Sequence, residues 1–307
     1  MRIDKDYKRR FVEAELEHWN DISMLNPRFL SGFVFRGQGN SEWHIESSLE
    51  RMIKRFHPNS LVAQKIYPQG YEIDMLKEFQ WKYPKYEKVK IPKDDEMIEW
   101  LSIMQHYGSP TRMVDFTYSP YIALFMAIDS SNGEHDASVW CLNELVLRNI
   151  FCDEYEERND RRIDDKDSQR ELFYKEANQV IKDSVNEKRK DFSPNIYLVQ
   201  PHRVNDRILV QQGLFAIPEK IGVPFEDNLF SLVDNRDPEM VPFKDIIDYS
   251  NSENMFKPYD YFLIKIKIPK QFRLNITKSL CLMNISAETM YPGLEGLAKS
   301  LNRQLYM

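Results

Sequence analysis

Two short stretches of this chain concentrate side chains that could do chemistry. The first, Phe33-Val34-Phe35-Arg36-Gly37-Gln38-Gly39-Asn40-Ser41, is an apolar run of β-forming residues that ends in a cation, a glycine and an amide. Strand alternation puts Val34 and Arg36 on one face and Phe33 and Phe35 on the other. On a central strand, Arg36 is a guanidinium at the end of a buried element, where charge needs a carboxylate partner or an anionic ligand. Gly37 and Gly39 let the backbone turn and let another group approach closely. The second stretch, His106-Tyr107-Gly108-Ser109-Pro110-Thr111-Arg112-Met113-Val114-Asp115, packs many polar side chains into ten positions. Gly108 and Pro110 make a turn, and Met113-Val114 opens a short buried strand. Phe116-Thr117-Tyr118-Ser119-Pro120 then starts a helix, with Ser119 as N-cap and Pro120 at the first helical position. The free N–H groups of such a helix start suit an anion. Each residue also has a plainer structural reading. Ser119 serves as a cap alone, Arg112 and Asp115 pair with each other or with Arg36, and His106 is a hydrogen-bonded structural histidine.

The elements that must position these residues can be read from periodicity. Val12, Leu16, Trp19 and Ile22 recur at helical spacing, which predicts an amphipathic helix in an N-terminal extension over 1–30. A helix is expected after Trp43 and Ile45, around Leu49, and another over 71–85, with Ile73, Leu76, Phe79 and Tyr83 on one face. Asp94 or Asp95 is the expected cap of the next helix, which carries Met97, Trp100, Leu101 and Met104. Residues 151–170 hold eight acids against five bases and read as a solvated insertion or mobile loop, giving way to a helix around Leu172, Phe173, Ala177, Val180 and Ile181, within a charged insertion over about 151–190. Strands are expected at 196–199, 208–210, 214–217 and most clearly 261–268, where Ile264, Ile266 and Ile268 alternate with Lys265 and Lys267. A last helix is expected near 294–305. Helices early and strands late predict an α+β fold and argue against regular βαβ winding.

Bulk composition bounds the function. The 307 residues are 42% hydrophobic and 29% charged, as expected of a globular chain with a substantial core. A formal charge of −6 argues against broad attachment to nucleic acid or anionic membrane. Cys141, Cys152 and Cys281 fit neither a disulfide framework nor a zinc knuckle, and no metal site is expected. The opening residues lack the apolar core of a signal peptide and no stretch has the length of a membrane span, so a cytoplasmic setting without membrane contact is expected.

Four ordered motifs carry a resemblance. They are Phe35–Gln38, then Gln105–Thr117 with Ser119–Leu124, then Arg207–Phe215, and Met290–Gly296. Together they closely resemble the FRG domain family, over about 31–307, with mild departures at Met113-Val114 and Phe116, where Leu-Leu and Trp are usual. The resemblance implies a bacterial or phage-associated setting with a defence or toxin-like role. The order of motifs is similar to that of ADP-ribosyltransferase-like domains, which implies a split β-sheet core with a helical N-terminal elaboration and NAD as ligand. Arg36 matches the early-strand arginine of that pattern, and Thr117 and Ser119 its second element. Glu288 or Gln212 is the candidate third, with His106 a further catalytic candidate. Gln38, Tyr107, Thr111, Arg112 and Asp115 are expected in the same cleft. The implied chemistry is ADP-ribosyl transfer, to a protein or nucleic-acid acceptor that the sequence does not name, or NAD hydrolysis. A carboxylate would stabilise an oxocarbenium-like transition state, although the usual glutamate–x–glutamate pair has no clear counterpart. A non-catalytic nucleotide- or phosphate-sensing module is the alternative, and a metal-dependent hydrolase using His106 and Asp115 a second.

Overall fold

The computed structural model describes residues 9–60, 68–87, 91–159, 165–185, 195–253 and 261–302. Strand β1 (Phe11–Glu15) is followed by β2 (Phe33–Gln38) and by helices α1 (Ser48–Phe56), α2 (Pro68–Lys82) and α3 (Met97–His106). Next come β3 (Val114–Thr117), α4 (Pro120–Asp129), β4 (Ala137–Asn143), α5 (Glu144–Asn159) and α6 (Lys166–Val185). The chain continues through β5 (Ile196–Val199), α7 (Asp206–Val210), β6 (Gly213–Pro218), β7 (Glu239–Met240) and α8 (Phe243–Ser250). It closes on β8 (Leu263–Ile268), α9 (Arg273–Leu282), α10 (Ala287–Met290) and α11 (Leu294–Ser300). The eight strands form one sheet in the order β5-β6-β3-β2-β4-β8-β1-β7. All pairs are antiparallel except those of β1, which runs parallel to both β8 and β7. The fold is mixed α and β with a largely antiparallel sheet, as the α+β expectation has it.

The pairing is uneven, and that unevenness makes the site. Strand β2 pairs with β4 along all six residues Phe33–Gln38, and β3 pairs with β6 along all four of its own. Between β2 and β3 only Phe35 and Thr117 are partners. Beyond that bridge the two strands part, and Arg36 stands in the gap. Alternation along β2 is as read from the sequence: Phe33 and Phe35 pack with α4, while Val34 packs into the opposite layer with Trp140 and Leu142. On β8, Ile264, Ile266 and Ile268 are buried, while Lys265 pairs with Glu13 and Lys267 with Glu15 and Asp136.

Several expectations are corrected. Residues 9–30 hold no amphipathic helix of the expected kind. Val12, Ala14 and Leu16 alternate with Glu13, Glu15 and Glu17, and this period of two outweighs the helical spacing of Val12, Leu16 and Trp19. The resulting strand sits inside the sheet, not beside it. Residues 208–210 belong to α7, because Asn205 accepts from the Ile208 N–H and caps a helix there. The charge run 151–170 lies on α5 and α6, apart from Asp165, which precedes α6, and from 160–164, outside the described residues. Apolar residues under the charges, among them Phe151, Cys152 and Phe173, are buried. The helix over Met97–His106 has Glu96, not Asp94 or Asp95, as its cap residue.

Candidate functional site

All four motifs meet at a cleft of about 300 Å³ beside the β2–β3 gap. The first supplies Phe35, Arg36 and Gly37, and the second Gln105, His106, Asp115 and Thr117. Arg207 and Gln211 come from the third and Tyr291 from the fourth. Local folding explains their placement. Ser119 accepts from the Ile122 N–H, and with Pro120 it starts α4 immediately behind β3. Gln212 takes a positive φ of 47°, the left-handed turn that ends α7 and sends the chain into β6. Thr117 Oγ1 donates to the Gln211 carbonyl (2.7 Å), and Gln211 Nε2 to the Met290 carbonyl (2.8 Å), tying the second, third and fourth motifs together.

Arg36 fills the space the parted strands leave. Its Nη1 donates to the Asp115 carbonyl (2.7 Å), an acceptor that β2 no longer reaches by backbone pairing. Its Nε is buried with no hydrogen-bond partner. Burial pushes the guanidinium down to about 10, against the pull of Asp115 and with the help of Arg51. It stays charged at neutral pH, and its buried Nε lacks the acceptor that a buried donor needs. Asp115 is positioned by a relay. Thr111 Oγ1 donates to Gln105 Oε1, and Gln105 Nε2 donates to Asp115 Oδ1 (2.8 Å). Burial first, and Arg207 second, lower the pKa of His106, which is therefore neutral at pH 7. Arg207 lies 5.1 Å over the Tyr291 ring, whose hydroxyl donates to Asp129 Oδ2 (2.7 Å). Burial, followed by that carboxylate, holds the Tyr291 phenol up.

Of the residues expected from sequence, the cleft gathers Arg36, His106, Asp115 and Thr117. The others stand elsewhere. Gln38 is buried in the sheet, accepting from Trp140 Nε1 (2.7 Å) and donating to the His44 carbonyl (3.0 Å). Arg112 is 1% exposed and paired with the equally buried Glu72, which also accepts from its backbone N–H. Removing either partner strands a buried charge, at a cost of about 3–5 kcal/mol. Tyr107 is exposed and lies with Phe79 and Tyr83 along a separate groove. Thr111 acts only through Gln105, and Ser119 is spent as the α4 cap. Neither Glu288, exposed on α10, nor Gln212 lines the cleft. Arg207, Gln105 and Tyr291 were absent from the expected site, although each lies inside one of the quoted motifs.

Gly37 is a position of close approach, as read from the sequence. A Cβ there would lie 2.0 Å from the Ala123 carbonyl oxygen and 2.5 Å from the Ala127 nitrogen. The group that approaches closely is the backbone of α4, not a ligand. At Gly39 it is the Ser130 carbonyl, 2.3 Å from the same construction. The Phe-Arg-Gly signature therefore combines a core residue, a cleft cation and a helix-docking position in three consecutive places.

Among the described residues, no group of three or more His, Cys, Asp or Glu is placed to hold a metal ion. No helix among the described residues is long and apolar enough to cross a membrane. Residues 31–136 match the family model of the FRG domain. The match contains the first and second motifs and ends one residue before β4, so the third and fourth lie beyond it. No curated protein and no solved structure matches the chain.

Proposed function

We propose that the cleft binds NAD by its phosphate and ribose oxygens and acts on the nicotinamide–ribose bond, by ADP-ribosyl transfer or hydrolysis. The observation that carries this reading is Arg36: a cleft guanidinium with a buried, unpartnered Nε, at the meeting point of four motifs. A phosphate or ribose oxygen supplies acceptors, and the rigid fork of arginine suits them. Asp115 is the carboxylate that lines the cleft among the described residues, so we assign it the place expected for a glutamate. When the C1′–nitrogen bond breaks, its electron pair leaves with neutral nicotinamide and positive charge grows on the ribose. A carboxylate fixed by Gln105 stabilises that charge without reorganising. Neutral His106 can take the proton of an attacking water or acceptor hydroxyl. Glu288, exposed on the element that leads into Tyr291 and outside the lining, serves as the control. The family resemblance supplies the setting, a bacterial defence or toxin-like role.

The absence of any glutamate from the cleft lining, among the described residues, favours a second reading: a nucleotide- or phosphate-sensing module without turnover. One experiment separates them. Purified protein is titrated with NAD by calorimetry and nicotinamide release is followed, for wild type, Arg36→Ala, Asp115→Asn and Glu288→Gln. Catalysis predicts release that falls at least about 100-fold in Arg36→Ala and Asp115→Asn, with Glu288→Gln near wild type. Binding without release in every protein supports the sensor. No binding of NAD to wild type overturns the catalytic reading and the sensing of NAD.

A further inference from the structure

Charge in the cleft does not balance. Arg36 from β2 and Arg207 from α7 both line it, His106 is neutral, and Asp115 is the one acid in the lining among the described residues. Arg207 is exposed and makes no ion pair among the described residues. The ring of Tyr291 supports it from below, and Asp129 anchors that ring. Glu295 feels Arg207 only weakly, because Lys299 holds its carboxylate first. The cleft thus presents two guanidinium groups from separate walls, one fixed in the strand gap and one resting on an aromatic face. A single monoanion can be matched by Arg36 alone and leaves Arg207 without an anion. Two adjacent phosphates use both.

We infer that Arg36 and Arg207 form a two-sided clamp for a diphosphate, and that Arg207 is the residue that distinguishes diphosphates from monophosphates. This deepens the nucleotide reading of the site and rests on it for the rest of the ligand. Size sets the pose. A volume of about 300 Å³ is at the lower end for ligand pockets. It encloses a diphosphate with the ribose next to it and leaves the far base of a dinucleotide outside.

The test uses inorganic pyrophosphate and orthophosphate as probes, titrated calorimetrically into wild type, Arg36→Ala, Arg207→Ala and Arg207→Lys. NAD is titrated in parallel, and melting curves confirm folding. Wild type is expected to prefer pyrophosphate by at least about tenfold, since a second charge-assisted contact adds about that much. Arg207→Ala should erase the preference while weakening orthophosphate by less than about threefold. Arg207→Lys keeps the charge without the fork and should fall between. Equal affinity for the two anions in wild type, or an undiminished preference in Arg207→Ala, overturns the clamp. NAD binding that ignores Arg207 but needs Arg36 also removes the clamp and leaves the nucleotide reading standing. A pyrophosphate preference that depends on Arg207, without NAD binding, removes the nucleotide reading and leaves the clamp.

Discussion

At the residue scale, Arg36 substitutes for a strand pair. The carbonyl of Asp115 loses its cross-strand partner where β2 and β3 part, and the guanidinium takes over, leaving its own Nε unsatisfied. That arrangement carries a pH consequence through His106. Burial and then Arg207 depress its pKa in the free protein, so the free fold resists its protonation. An anion held beside it favours the imidazolium, and binding then takes up a proton. The sign follows. Well above the ordinary histidine value of about 6.5, the ring is neutral free and bound, and affinity does not depend on it. As pH falls through that range, binding becomes coupled to protonation and affinity rises, levelling once the free ring is charged as well. ADP-ribose is the suitable probe, because its diphosphate diester keeps a constant charge across this window. Its affinity should climb about three- to tenfold between pH 7.5 and 5.5, and His106→Gln should flatten the profile. A wild-type profile already flat would show that His106 does not face the bound phosphates. Residue placement was legible in the sequence where a side chain has a single use, as with Arg36 at its strand end and the Ser119-Pro120 helix start. It was not legible for Arg112, Thr111 and Gln38. Their polar groups are consumed by Glu72, Gln105 and Trp140, partners set by tertiary folding and distant or weakly marked in the chain.

At the scale of elements, the contact between β2 and α4 fixes the cleft. Helix α4 lies so close over β2 that only a residue without a side chain fits at position 37. Gly37→Ala should push the helix outward or bend the strand, because both colliding atoms belong to backbone and cannot swing away. We expect a loss of about 3 kcal/mol or more in urea unfolding, above the usual range for a single added methyl in a core. Ligand affinity should fall along with it, since Arg36 and the α4 residues of the lining move apart. A stability change under about 0.5 kcal/mol would mean that this packing is loose. Elements with strong local signals, such as β2, β8 and α4, were readable from the sequence. The N-terminal strand was not, because Val12 and Leu16 satisfy helical and strand periods at once, and the deciding partners, β8 and β7, lie more than 200 residues away. Residues 208–210 read as a strand because three aliphatic residues in a row outweighed the capping signal of Asn205 just before them.

At the scale of the whole molecule, the sheet consists of two blocks joined by a single bridge. Strands β5, β6 and β3 make one, and β2, β4, β8, β1 and β7 make the other. The cleft lies at their seam, so neither block can form it alone. The segment that matches the FRG family, 31–136, takes one strand from each block. It contains β2 without its full-length partner β4, which begins at Ala137, and β3 without its partner β6. Isolated, it would expose both outer edges of two short strands that share one bridging pair. Phe33 and Phe35 would keep α4, but the opposite face, with Val34, would lose most of the residues that cover it. We therefore expect a fragment of residues 31–136 to show no cooperative thermal transition by circular dichroism and no dispersed amide spectrum. The 307-residue chain should unfold in a single transition. The fragment should also fail to bind pyrophosphate even though it retains Arg36, His106 and Asp115, because Arg207, Gln211 and Tyr291 come from beyond it. A fragment that melts cooperatively and binds the anion would show that the first two motifs build the site alone. The third and fourth would then be accessories to it, not its second wall.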